Sequence, residues 1–345
     1  MTIEIILGLP HLADGALLAT ARRLQAPVLI SANCLSRWRK ADGWREWAGW
    51  RTATLDNAHG LVSLDLDSAG YSMMVRYGGL PWSIADYMAL AASYPFRRVS
   101  SIDYCCEDGV ASHREEVLDR ISRTIATNHE CFARAGDLGI RDRFMPVLQG
   151  RRPDDYVRCL EAIEGMLLPG TVVGIGSMCR RVIHGPEGLV AVVERLSRVL
   201  PVGVRAHAFG VKGDALPYLA PFSRWIASID SQAFGVAARR DALRRGVAKS
   251  DRLVASHMEQ WYQRQCGRAL APPVTLPEAA DHQARSLGDD DPWERAIADA
   301  RAQIRELIES GDLLGPADQT ALLAASIERD QADRRANPKS WRWSA

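Results

Sequence analysis

Two stretches of the chain, "LDLDSAGYS" at residues 64–72 and "ASIDSQAFG" at 227–235, each carry an apolar run into Asp-Ser, small residues and an aromatic. They set Asp67 and Asp230 at the ends of what read as buried strands. Ser68 stands beside Asp67, and other apolar runs end in the same manner, on Asp103, on Gln149-Gly150, on the turn Gly174 to Ser177, and on His207. Asp-Ser by itself is a common turn or helix N-cap. A strand end that only turns the chain, however, has no need of a carboxylate or amide from run after run. Carboxylates that converge on one place have coupled titrations and mark a candidate site. Two carboxylates flanking a ligand suit displacement at a sugar carbon, one attacking C1′ and the other moving a proton on the departing or arriving group. Their surroundings must then hold the two pKa values apart. Asp103 and Gln149 alternatively suit the donor/acceptor edge of a purine-like base.

Such a constellation needs a frame that gathers distant strand ends. Eight Val- and Ile-rich runs recur: "IEIILGL", "PVLISA", "LVSLDLDS", "VSSIDYC", "FMPVLQG", "TVVGIGS", "VRAHAFG" and "RWIASIDS". Most are separated by amphipathic helical stretches, as in "EEVLDRISRTIATNHECFARAG", where Val117, Leu118, Ile121, Ile125 and Phe132 share a side. Alternating strands and helices with apolar strands mean a parallel sheet covered by helices. Eight such units in about 240 residues fit a closed (β/α)8 TIM barrel, whose catalytic groups sit at the C-terminal strand ends. The alternative, an open doubly wound sheet, lacks a G-x-G-x-x-G turn after the first run. The expected organisation is a TIM barrel over 1–250 and a helical C-terminal extension over 251–345. That extension reads as a helix, a Pro- and Asp-rich connector at about 267–292, two more helices and a basic, aromatic tail.

Composition narrows the function classes. With 47% hydrophobic residues the chain can build a large core, and its formal net charge of +1 confines any polyanion site to a local patch. The start "MTIEIILGLPHLADG" reads as a first strand rather than a signal peptide, and no apolar run is long enough to span a bilayer. Seven scattered cysteines read as reduced thiols, so a cytoplasmic location without membrane contact is expected.

Taken in order, "LDSAGYS", "IDYCCED", "VLQG", "VGIGSMCRR", "HAFGVKG" and "SIDSQAFGVAAR" resemble the tRNA-guanine transglycosylase superfamily over about residues 1–245. The resemblance is closest to its DNA-acting branch, the deazapurine-in-DNA (DpdA-type) transglycosylases. It implies a TIM barrel that exchanges guanine for a 7-deazaguanine without cutting the strand. It implies Asp230 as the nucleophile and Asp67 as the general acid/base. Tyr71 would stack on the base, beside Ser68. Asp103 and Gln149 would bond its edge, with Gly150, Gly176, Ser177 and His207 around it. Arg239 would contact the nucleic-acid backbone. "DSAGYS" departs from the family's Asp-Ser-Gly-Gly-Phe-Gln. The Cys-x-Cys-x-x-Cys…His zinc site of the tRNA-acting enzymes is missing, since only Cys266 falls in that region.

Arginine pairs follow three strand ends directly: Arg151-Arg152, Arg180-Arg181 and Arg239-Arg240. Cations at a helix start oppose its dipole, so they ask for an anion, either a phosphate or a neighbouring Asp154, Asp155 or Asp241. Lys212 joins the phosphate-facing set. Arg97-Arg98 precedes its strand and belongs at the opposite rim. "SRWRKADGWREWAGWR", 36–51, interleaves Trp38, Trp44, Trp47 and Trp50 with cations. This is either a stacking surface for unpaired bases or a local helix packed on the barrel through Trp44 and Trp47. Cys105, Cys106, Cys179 and His207 could be read as a soft-metal site, but read better as buried thiols and an orienting imidazole.

The expected function is therefore a DNA-guanine transglycosylase using a flipped-out or single-stranded guanine, with a 7-deazaguanine, preQ0 (7-cyano-7-deazaguanine), as its small-molecule substrate. A covalent aspartyl-glycosyl intermediate is expected, with no cofactor and no metal. Partner proteins or a homodimer are compatible with the sequence. The rivals are a tRNA-guanine transglycosylase, a non-catalytic nucleic-acid-binding subunit, and a metal-dependent hydrolase on the same barrel.

Overall fold

The computed structural model describes residues 2–41, 44–107, 110–111, 113–179 and 181–272. Eight parallel strands form the frame: β1 (Glu4–Leu9), β2 (Val28–Ser31), β3 (Leu64–Asp67), β4 (Arg98–Ser100), β5 (Phe144–Met145 and Val147–Leu148), β6 (Val172–Ile175), β7 (Arg205–Ala208) and β8 (Ile226–Ser231). Each corresponds to one of the apolar runs in the sequence. β8 returns to β1, with Ile6 opposite Asp230, so the expected (β/α)8 barrel forms.

The ring closes within a single strand. Phe144 and Met145 pair with β4, whereas Val147 and Leu148 pair with β6. Pro146 lies between them and has no N–H to contribute to the ladder. Its carbonyl accepts from the Gly174 amide at 2.7 Å, while the Met145 carbonyl accepts from Ser101 at 2.9 Å. Fully buried Asn128 supports the same joint, since its amide both donates to Val147 O and accepts from Val147 N at 2.9 Å.

The helices are α1 (Ala16–Arg23), α2 (Gly70–Tyr77), α3 (Ile84–Ala92), α4 (Arg114–Asp137), α5 (Pro153–Ala162), α6 (Leu189–Ser197), α7 (Leu216–Leu219), α8 (Ala233–Arg245) and α9 (Asp251–Leu270). On α4 the buried stripe is Val117, Ile121, Thr124, Asn128, Cys131 and Ala135. Leu118, Ile125 and Phe132, expected on the inner side, are only half-buried. The stripe turned because Asn128 bonds β5 and Thr124 accepts the Tyr104 amide. α9 packs on α1, α7 and β1. Arg23 donates twice to Glu259 at 2.7 Å, and Arg268 pairs with Asp214 at 2.8 Å. At the N-terminal rim Arg97 bridges buried Asp65 and Glu4.

One compact unit runs through Phe234 and resumes at Asp251, and Gly235–Ser250 belongs to a second. In that second unit Asp241 accepts from Arg244 and Arg245 on the same helix. The connector and later helices expected beyond residue 272 lie outside the described residues. Among the described residues, no helix is long and apolar enough to cross a membrane.

Residues 36–51 hold an antiparallel hairpin, Ser36–Ala41 paired with Trp44–Trp50, and not the local helix that is one of the two readings of the sequence. The alternation of Arg37, Trp38, Arg39 and Lys40 has the two-residue period of a strand, and tryptophan favours that setting. Gly49, at φ 98°, marks the bulge that lets Trp47 and Trp50 both reach Trp82.

Candidate active site

The C-terminal strand ends open onto one mouth. Asp67 closes β3, and its Oδ2 accepts from the Ala69 amide at 3.1 Å. Burial pushes its carboxyl up to about 7, and the charges of Asp103 and Asp230 add to the rise. Asp67 is therefore poised between its two protonation states near neutrality. Ala69 sits at φ 74°, a left-handed conformation that an L side chain adopts at a cost. Gly70 then brings the start of α2 against Asp103, where a Cβ would stand 2.6 Å from its carbonyl and 2.7 Å from Oδ1. Tyr71 follows on the first turn of α2, half-buried.

Ser68, Asp103, Gln149 and Ser177 form one buried hydrogen-bonded line across β3 to β6. The Ser68 hydroxyl donates to Asp103 Oδ1 at 2.6 Å, and Gln149 Nε2 donates to Asp103 Oδ2. Ser177, held at φ 54°, donates to Gln149 Oε1 at 2.5 Å. The line ends on Glu107, whose Oε2 lies 3.2 Å from Ser177 Oγ. Burial raises both the Asp103 and the Glu107 carboxyls, while the hydrogen bonds they accept recover part of that cost. Glu107 was not singled out in the sequence. It lies inside "IDYCCED", but only the turn at Ser177 brings it to the site.

On the far wall Asp230 Oδ1 accepts from the Gly210 amide at 2.8 Å and lies 3.3 Å from His207 Nε2. His207 is fully buried; its Nδ1 meets Ser228 Oγ at 2.8 Å, and Arg98 donates to the same oxygen at 2.9 Å. The His207 Nε2 direction misses the aspartate, so this atom is buried without a hydrogen-bond partner. Asp230 Oδ2 faces Gly8 of β1, where a Cβ would come within 3.5 Å of it.

Gly176 donates its amide to Leu148 O and accepts the Tyr156 hydroxyl on its carbonyl, both at 2.9 Å. Its lack of a side chain serves clearance, because a Cβ would run into the Gln149 amide. Arg181 engages all five of its N–H donors inside the protein. They go to the carbonyls of Ser177, Arg151, Glu187 and Gly150 and to the Tyr156 hydroxyl, over 2.6 to 3.0 Å. Arg181 thus ties the loops after β5 and β6 together. Gly150 packs on Asp155 and Tyr156, and Asp155 accepts from Arg114, Arg151 and Arg152. Lys212 is exposed in the loop after β7. Arg239 lies on α8 in the second unit. Arg180 lies outside the described residues.

A family model, DpdA (DeoxyPurine in DNA protein A), matches residues 44–305. The chain belongs to the DpdA family. Membership implies a transglycosylase-type activity in the deazapurine modification of DNA, with DNA as the substrate. No curated protein matches the chain.

Cys105 and Cys106 of this DpdA member are buried thiols. Burial raises the thiols of Cys105 and Cys106 well above their ordinary value, and Cys106 Sγ points at the carbonyls of Tyr104 and Val117. Cys179 lies against Gly210. Among the described residues no group of three or more His, Cys, Asp or Glu side chains could hold a metal ion.

Proposed function

We propose that the protein is a DNA-guanine transglycosylase that replaces guanine with a 7-deazaguanine, preQ0, by double displacement. Asp230 attacks C1′ of the target nucleotide, the bond to N9 breaks, and guanine departs with the proton that Asp67 delivers to N9. The covalent aspartyl-glycosyl species is then attacked by N9 of the incoming base, whose proton passes to Asp67. The observation that carries this reading is the unequal setting of the two carboxylates. Asp67 is held near 7 by burial and neighbouring charge, as a proton-moving group requires. Asp230 has Oδ1 fixed by the Gly210 amide, which leaves Oδ2 as the attacking oxygen.

Asp103, Gln149, Ser68 and Ser177 line the base pocket, with Tyr71 as the stacking wall and Gly150, Gly176 and His207 shaping its sides. Lys212, Arg239 and Arg180 are assigned to the DNA backbone. Arg181, whose donors are all engaged, positions the pocket loops. An open groove of about 460 Å³, lined by Ser36, Arg37, Trp38, Arg39, Lys40 and Arg51, offers cations and an aromatic to the strand beside the flipped nucleotide. Trp38 is stacked on Tyr77 at 4.5 Å, which ties this hairpin to α2 and hence to Tyr71.

The test is incubation with duplex or single-stranded DNA, or with tRNA, plus isotopically labelled preQ0, followed by nucleoside mass spectrometry of each polymer. Label in DNA that requires Asp230 is the expected result. Label in tRNA alone, or guanine release unchanged in Asp230→Asn, overturns the assignment.

A further inference from the structure

The hydrogen-bonded line behind the base pocket restricts where its protons lie. Ser177 Oγ has three polar neighbours: Gln149 Oε1 at 2.5 Å, the Cys106 amide at 2.7 Å and Glu107 Oε2 at 3.2 Å. A hydroxyl offers one proton and two lone pairs. The Cys106 N–H takes one lone pair. Gln149 Oε1 can only accept, so it takes the hydroxyl proton. The remaining lone pair faces Glu107, and two lone pairs repel. This contact becomes a hydrogen bond only when Glu107 carries a proton and donates it. Reversing the Gln149 amide changes which carboxyl is protonated and not the number of protons. Nε2 would then donate to Ser177, the hydroxyl to Glu107, and Asp103 would need a proton to meet Oε1.

Asp103 decides between the two arrangements. Whichever way the amide lies, Asp103 accepts from the Ser68 hydroxyl at 2.6 Å and from its own backbone amide, a setting that suits a carboxylate. Among the described residues, the nearby arginines have other acceptors. Arg120 donates to the carbonyls of Cys105 and Val110 and to Glu116, and Arg151 to the carbonyls of Cys106 and Ala111. Arg114 is paired with Asp155. The Cys105 thiol and the residue's own amide are weak recompense for full burial.

We propose that Asp103 and Glu107 hold one proton between them and that it resides on Glu107, so that Glu107 is a positioning residue that keeps Asp103 an ionised acceptor. A guanine-type base presents N1–H and N2–H donors beside its O6 acceptor. An ionised Asp103 meets those donors, whereas a protonated one sets a proton against them. The role rests on the base-pocket assignment made above, while the location of the proton can be measured without it.

The experiment is infrared spectroscopy of the full chain labelled with 13C-glutamate at neutral pH, together with base-exchange kinetics. The expected spectrum contains a protonated-carboxyl C=O band, shifted by the label, that Glu107→Gln removes. A spectrum without that band overturns the proposal. In kinetics, Glu107→Gln supplies an N–H donor to Ser177 and is expected to hold the KM for the base within about threefold. Glu107→Ala leaves Ser177 unpartnered and is expected to raise KM by about tenfold or more at similar kcat. Glu107→Gln as impaired as Glu107→Ala, or neither impaired, overturns the positioning role. If the parent protein exchanges no base, the exchange reading fails, and the band still decides where the proton lies.

Discussion

At the scale of single residues, Asp67 and Asp230 make separable predictions because their surroundings differ. In the proposed exchange the deprotonated form of Asp67 accepts the N9 proton of the arriving base, and burial places its transition at about 7. The kcat/KM for the base should therefore rise with pH up to about 7 and level off above it, as read from initial rates across a buffer series. Asp230→Asn should form no covalent species, because it lacks the attacking oxygen. Asp67→Asn should form one slowly and retain it, because guanine departs without its acid and the arriving base keeps its proton. Denaturing mass spectrometry of the protein mixed with DNA distinguishes the two. Next to Asp67, Ala69 holds a left-handed φ of 74°. Ala69→Gly should stabilise the fold by about 1 kcal/mol in urea titration, through relief of a Cβ clash that exceeds the entropy glycine adds to the unfolded chain.

At the scale of elements, the loops after β5 and β6 show why arginine spacing alone did not reveal arginine roles. Arg180-Arg181 after Ser177 and Arg151-Arg152 after Gln149 read in sequence as pairs facing an anion, a phosphate or a neighbouring aspartate. Arg181 instead fills five donors on loop acceptors, and Arg151 donates to the Cys106 and Ala111 carbonyls. Loop carbonyls left without strand partners need donors as surely as a phosphate does, and sequence cannot distinguish the two demands. This separates two substitutions. Arg181→Ala should lower the melting temperature and leave the salt dependence of DNA binding unchanged. Lys212→Ala should leave the melting temperature in place and reduce the slope of log affinity against log salt by about 1. Fluorescence anisotropy at several salt concentrations reads the slope. The strands were legible because each is a run of buried apolar residues, and most end in a polar group. The hairpin was less so, since Trp44 and Trp47 also fit one face of a helix. Asn128 was hidden because a polar residue on an inner helix face makes sense only once Pro146 is seen to break β5.

At the scale of the whole molecule, the site makes stability depend on pH in an unusual direction. Most proteins lose stability as acid protonates carboxylates that are paired in the folded state. Asp155 behaves that way here. Although burial opposes ionisation, the Arg114 guanidinium and loop amides hold its carboxyl below the ordinary value. Its contribution is present above its unfolded pKa and is lost as pH falls through the lower folded one. Asp67, Asp103 and Glu107 are shifted the other way by burial. Each binds its proton more tightly when folded, so its contribution is complete below the unfolded value and is lost as pH rises through the folded one. For Asp67 the window runs from 3.8 to about 7. Its half-buried position limits the loss to on the order of 1–2 kcal/mol. The urea midpoint should therefore be higher at mildly acidic pH than at pH values above that window, and Asp67→Asn should flatten the difference by raising the value at the alkaline end. A midpoint that stays level or climbs through the same range would mean that Asp67 does not bind its proton more tightly in the folded state, since the Asp155 contribution is already complete above the ordinary carboxylate value.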